Sequence, residues 1–111
     1  MQTVYSLLRS PNHRQSGHPE SPERFRLLDE IFAAHSGIKE LDAVPATLDE
    51  ISRVHKPGMI QALEMASPGL IDHAPTYVTS SSFDDALLAA GATLACSRAV
   101  WEGAARNAFA L

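Results

Sequence analysis

Residues 81–111 read SSFDDALLAAGATLACSRAVWEGAARNAFAL, and this stretch decides the fold. Ser81 or Ser82 caps a helix whose first turn carries Asp84 and Asp85. Carboxylates there favour the positive end of the helix dipole. The helix runs to Trp101 or Glu102 and ends near Gly103. Its small residues, among them Ala86, Ala89, Ala90, Gly91, Ala92, Ala95 and Ala99, let it sit close to a neighbouring backbone, which suits packing on a sheet. Asn107–Leu111 then reads as a strand.

Working outward, residues 67–80 are irregular, with Tyr77-Val78-Thr79 extended but too short for a core strand. Thr47-Leu48-Asp49-Glu50 is a capping box, in which Thr47 and Glu50 each satisfy the other's free backbone N–H. Lys56-Pro57-Gly58 is expected to break or restart that helix, because Pro57 has no N–H to donate. A second short helix over about 58–66 carries Ile60, Leu63 and Met65. Residues 38–46 read as a strand ending at Pro45. Ahead of them, Ser21 caps a helix with Pro22 in its first position and Glu23 at its positive end. Phe25, Leu28 and Phe32 share a face there with Leu27 and Ile31, and Gly37 stops it. Residues 2–8 are a strand, and 9–21, with Pro11, Gly17 and Pro19, form a loop.

The order is strand, helix, strand, two short helices, long helix, strand. Such alternation predicts an α/β fold with a parallel sheet and helical crossovers. Three strands leave a parallel sheet with a bare edge and incomplete cover. Residues 1–111 are therefore expected to be one unit, the front of a larger domain.

Composition narrows the functions. The 111 residues are 45% hydrophobic and 20% charged, which describes a globular chain rather than a disordered one. Nine Lys+Arg against 13 Asp+Glu give a formal charge of −4, which argues against a nucleic-acid partner. A single cysteine, Cys96, excludes an internal disulfide framework and fits a reducing cytosol. No apolar run approaches the roughly 18 residues of a membrane span. Met1-Gln2-Thr3 does not open a signal peptide. A cytoplasmic protein without membrane contact is expected.

The candidate chemistry is sparse. His13 and His18 share the loop before the first helix, with Glu20 and Glu23 nearby, but no HExxH, HxxxH or CxxC spacing accompanies them. Histidines bonded to backbone or water explain the loop more simply than a metal does. His35 and His55 lie near helix ends, where the dipole favours them. His73 is read as solvated. Cys96, inside an Ala-rich helix, reads as a small buried hydrophobe. Ser80-Ser81-Ser82 could hold a nucleophile, but the sequence identifies no adjacent base, and helix capping accounts for the serines.

Taken together, these segments resemble the histone deacetylase-like family, of the bacterial and class II type that includes acetoin-utilisation and acetylpolyamine amidohydrolase relatives. His18-Pro19-Glu20-Ser21-Pro22-Glu23-Arg24-Phe25 is similar to its HPE-x-PER signature. Asp49 to His55, Asp72 with Thr76-Tyr77-Val78, Ser82 to Ala92, and Gly103 to Leu111 resemble later segments, in the family's order. Met59 stands where the family usually has a tyrosine.

The resemblance implies a three-layer α/β/α arginase/deacetylase-like fold, truncated here to about three parallel strands with flanking helices, the first strand in the middle. It implies an amide hydrolase that uses zinc in its full-length members. The family's tandem histidines, its D-x-H zinc ligands, its later aspartate and its oxyanion tyrosine have no counterpart in residues 1–111. No catalytic residue, metal ligand or cofactor is therefore expected within this chain. By the resemblance, Asp72 falls where the family has a rim aspartate that binds the substrate backbone. His18, Glu20 and Arg24 match the signature and are expected to order the loop and rim. The expectation for the chain alone is an inactive homo-oligomer, a dimer covering the open sheet edge. The alternatives are the front of an active zinc deacetylase, completed by further sequence or a partner chain, and a non-catalytic interaction module.

Overall fold

The computed structural model describes residues 1–71 and 76–111. In chain order the elements are β1 (Thr3–Ser6), a 3-10 turn (Pro22–Phe25), α1 (Leu28–Ala33), β2 (Ile38–Glu40), α2 (Leu48–Ser52), α3 (Pro57–Glu64), β3 (Gly69–Ile71), β4 (Thr76–Val78), α4 (Ser82–Trp101) and β5 (Asn107–Ala110). β1 lies between β2 and β5 and runs parallel to both. The expected order, with the first strand in the middle, is the observed one.

The sheet carries a helix on each face for a reason that starts at residue level. Side chains alternate across a strand. Val4 and Ser6 are buried, and their register partners are Ala108 and Ala110. These four share the face on which α4 lies, with Ala92 and Cys96 buried beneath the helix. Tyr5 points the other way, and its ring meets Phe32 of α1 with 4.2 Å between centroids. The connection from β1 to β2 and the connection back past β1 to β5 run in opposite directions. Right-handed crossovers then put α1 and α4 on opposite faces.

Local signals decide most boundaries. Thr47 and Glu50 form the expected capping box, with Glu50 N–H donating to Thr47 Oγ1 at 3.2 Å and Thr47 N–H to Glu50 Oε2 at 2.9 Å. Pro57 occupies the first turn of α3, as its missing N–H permits. Gly103 leaves α4 at φ +74°, a region that favours glycine, whereas α1 ends at Ala33, ahead of Gly37, which at φ +90° turns the chain into β2 instead of stopping the helix. Other expectations need correction. The first helix is split, because Ser21 accepts from Glu23 N–H and tightens the start into a 3-10 turn. Leu27 and Ile31 stay half exposed, so they do not share the buried face proposed for them. The second strand stops at Glu40 rather than running to 46, since residues 44–46 leave the sheet to cross α4, where Ala46 N–H donates to Leu87 O at 2.8 Å. Residues 69–71 and 76–78 pair as an antiparallel hairpin where irregular chain was expected. Three-residue strands are too short to show an alternation.

Arg98 Nη2 reaches Glu50 Oε1 at 2.7 Å and ties α4 to α2. The Thr47 backbone N–H and then Arg98 hold the Glu50 carboxyl below the usual carboxylate range. A carboxylate whose folded-state value is depressed stabilises the fold above its unfolded value, about 4.3, and loses that contribution as pH falls through the folded value. Urea midpoints measured from pH 6 downward, on the order of every half unit, should therefore decline more gently in Glu50→Gln than in the parent chain. Equal slopes would remove Glu50 from the acid response. Asp29 acts in the same sense through its ion pair with Arg9.

Candidate functional site

In an open parallel sheet, ligands gather beyond the carboxyl ends of the strands, where strand order reverses. Here that point is the end of β1 beside the end of β5. A cleft of about 400 Å³ opens there. Its floor is apolar, with Leu8, Ala89 and Ala110. Its polar wall comes from the loop 9–21, the 3-10 turn after it and the start of α4: His13, Glu20, Arg24, Ser82 and Asp85.

Tyr77 holds this wall together. It is 3% exposed. Its hydroxyl lies 2.8 Å from the Glu20 carbonyl and 3.1 Å from the His13 carbonyl, so one O–H serves two loop acceptors. The His13 ring stacks on Tyr77 at 4.5 Å, and the His18 ring meets its edge at 4.6 Å. Burial, and then the Glu20 charge, push the Tyr77 phenol up.

The proton positions follow from a chain of hydroxyls. Ser81 Oγ donates to Asp85 Oδ2 at 2.9 Å. Thr79 Oγ1, 3.1 Å from Ser81 Oγ, must then donate to it. Ser82 Oγ, 3.1 Å from Thr79 Oγ1, donates in turn to that oxygen. Ser82 Oγ is left to accept from Thr79 N–H at 2.7 Å and from His13 Nδ1 at 2.7 Å. The network thus assigns His13 its proton on Nδ1, and turns Nε2 toward Glu20 Oε1, 3.7 Å away. His18 carries the opposite tautomer, since its Nδ1 accepts from Glu20 N–H at 3.1 Å.

This geometry answers two questions left by the sequence. The triple serine does have a histidine beside it. However, the single donor and both lone pairs of Ser82 Oγ are engaged, so none is left for attack on a carbonyl. Nor do the serines cap α4 as expected, for Ser81 is the N-cap residue but makes no side-chain cap bond.

The signature residues fall together in the loop. His18 and the Glu20 carbonyl bind Tyr77, Arg24 Nε donates to Ser21 O at 3.3 Å, and the Arg24 guanidinium lies 5.2 Å from the centre of the Phe25 ring. Asp72 lies outside the described residues. His35 donates from Nδ1 to Ile31 O at 2.7 Å at the end of α1, as its position near the helix end suggested. Cys96 is buried, which pushes its thiol up. His13, Tyr77 and Ser82 were not singled out together by the sequence, and no local spacing links residues so far apart.

Zinc needs three or four converging ligands. Among the described residues no three His, Cys, Asp or Glu side chains come together in a way that could hold a metal ion. They do not fit a catalytic zinc. Nor, among them, is any helix long and apolar enough to cross a membrane.

Comparisons with known proteins agree on one relationship. A family profile for the histone deacetylase domain matches residues 18–111. A probable deacetylase of Archaeoglobus fulgidus is 36% identical over 107 residues, which is 89% of this chain and 30% of that protein. Histone deacetylase 10, chloroplastic, of Oryza sativa is 32% identical over 80% of this chain and 24% of its own length. Histone deacetylase 14, chloroplastic, of Arabidopsis thaliana is 31% identical over 83% and 26%. The chain thus spans between 24% and 30% of these relatives. A crystal structure of the HDA15 HD domain superposes with a TM-score of 0.84, covering 98% of this chain and 34% of that one at 22% identity.

Proposed function

This chain belongs to the histone deacetylase domain family, and from that premise we propose that residues 1–111 build the amino-terminal part of a zinc-dependent deacetylase domain. Its substrates are proposed to be acetyl-lysine or acetylpolyamine amides. Residues 1–111 supply a wall of the site and no catalytic group. Isolated, the chain is inactive and self-associates. The observation that carries this reading is the cleft at the carboxyl ends of β1 and β5, walled by the family's signature loop. That is where a parallel α/β sheet presents its chemistry. In this reading the 9–21 loop is shaping material. His18, Glu20 and Tyr77 fix its backbone, and Arg24 keeps a cation on the cleft wall. Amide hydrolysis needs a Lewis acid and a general base, which other parts of the domain would contribute. Asp72 is proposed to bind substrate at the rim, and a cytoplasmic setting belongs to the same proposal.

The test compares the 111-residue chain with a single polypeptide that joins it to the part of the Archaeoglobus deacetylase following the matched region. The chain alone should turn over neither acetyl-lysine peptide nor acetylpolyamine. The joined protein should do so, and a chelator should abolish the activity. Chelator-sensitive turnover by the chain alone would show that its own residues make the centre. A folded joined protein with no turnover would end the deacetylase reading.

A further inference from the structure

The backbone enters the loop 9–21 through a strained turn. Ser10 has φ +37°, and among the described residues it alone, glycines apart, has a positive φ. A side chain disfavours that region, and Pro11 disfavours it again, because a residue before proline is pushed toward extended backbone. Ser10 O accepts from His13 N–H at 3.1 Å, so residues 10–13 close into a turn directly after the strained bond. A second turn closes further on, where His18 N–H donates to Gln15 O at 3.1 Å and Gly17 has φ +72°. A Cβ on Gly17 would meet nothing within 4 Å, so the chain has room to rotate there.

Between these two points the segment 11–16 has little to hold it. Pro11, Asn12, Arg14 and Ser16 are exposed. Arg14 Nη2 reaches Glu23 Oε1 at 3.2 Å, but both side chains are more than half exposed, and such a pair is worth little. His13 is the exception. Its side chain is 18% exposed, its ring stacks on Tyr77, and its Nδ1 donates to Ser82 Oγ. Each of those partners has another. The Tyr77 hydroxyl keeps the Glu20 carbonyl at 2.8 Å, and Ser82 Oγ keeps Thr79 N–H at 2.7 Å. Withdrawal of His13 therefore leaves neither hydroxyl without a partner.

We propose that residues 11–16 are a flap, hinged at Ser10 and Gly17 and caught by the His13 ring. Closed, the catch holds Ser10 in its strained conformation. Open, rotation about the Ser10 N–Cα bond returns φ to negative values and carries the intact 10–13 turn away from Tyr77. The opening changes the wall of the cleft. His13 leaves it, and one lone pair of Ser82 Oγ turns from an internal partner to whatever occupies the cleft. His18 and Glu20 stay, because they lie beyond Gly17 and hold Tyr77 without His13. The device is built from the loop, β4 and the start of α4, and it does not depend on which reaction the cleft serves.

Trypsin cleavage after Arg14, located by mass spectrometry, reads the open flap, because slow cleavage of a segment that opens and closes quickly tracks its open population. Cleavage after Arg98, inside α4, reads opening of the whole fold. His13→Ala should raise cleavage after Arg14 at least about tenfold, with cleavage after Arg98 unchanged. Ser10→Gly should lower cleavage after Arg14 at least about threefold, since glycine takes a positive φ without strain. Ser10→Ala keeps the Cβ and should match the parent. Adding Ser10→Gly to His13→Ala should slow cleavage relative to His13→Ala alone. A glycine that merely loosened the chain would speed cleavage, so a rise or no change in Ser10→Gly overturns the hinge. Unchanged cleavage after Arg14 in His13→Ala overturns the catch, and so does equal acceleration after Arg14 and Arg98. If His13→Ala does not fold, His13→Phe keeps the ring and removes the Nδ1 donor. It should raise cleavage after Arg14 about threefold, and no rise overturns the catch.

Discussion

Gly91→Ala is expected to lose at least about 3 kcal/mol of stability, enough to unfold most of a small domain fragment. The reason is a single close approach. A Cβ on residue 91 would lie 1.6 Å from Val44 O, 2.8 Å from Val44 C and 2.9 Å from Ala46 N. All three atoms are backbone, so no side-chain rotation relieves the clash. Either α4 moves off the crossing segment or residues 44–46 move off α4. Movement breaks the bond from Ala46 N–H to Leu87 O, and Ala46 is buried. Gly58→Ala is the matched control. Its added methyl meets nothing within 4 Å, and residue 58 lies in α3. Removing a glycine's unfolded-state freedom there should stabilise by about 0.4–1 kcal/mol. Urea melts of the three chains decide the matter. A Gly91→Ala midpoint close to the parent's would mean that residues 44–46 do not press on the helix as described.

Tyr77→Ala should cost about 3–5 kcal/mol, the range for deleting a buried aromatic ring. Its effect should concentrate in the loop 9–21, since two histidine rings pack on it and two loop carbonyls share its hydroxyl. Tyr77→Phe separates the two contributions. It keeps the ring and removes one donor, which should cost about 0.5–1.5 kcal/mol because two part-buried loop carbonyls lose their partner. Amide exchange should accelerate in residues 9–21 in both variants, while the β1 amides keep the protection of the whole fold. Uniform acceleration would make Tyr77 a general core residue and not the anchor of the loop.

The legible part of this chain was local. The Thr47–Glu50 capping box, the proline at the start of α3 and the glycine end at 103 depend on neighbours within a few residues, and each stood where the sequence placed it. The long helix and final strand of residues 82–110 were readable because twenty helical residues leave a clear pattern. The β3–β4 hairpin was not, because three residues a side leave none. The candidate site was half legible. His18, Glu20 and Arg24 were marked by the signature they share; His18 and Glu20 lie in the loop and Arg24 in the 3-10 turn after it. His13 gave no sign of its partner, since Ser82 lies 69 positions away.

The sequence by itself determined the order of the helices and of the three parallel strands, and with it the parallel sheet, because caps, breaks and apolar periods act along the chain. Only the tertiary structure decided that Tyr77 anchors the loop, that Gly91 is a crossing point and that Ser82 is saturated. Those facts depend on which distant residues the crossovers bring within contact range. Backbone closure sets that, and no local spacing encodes it.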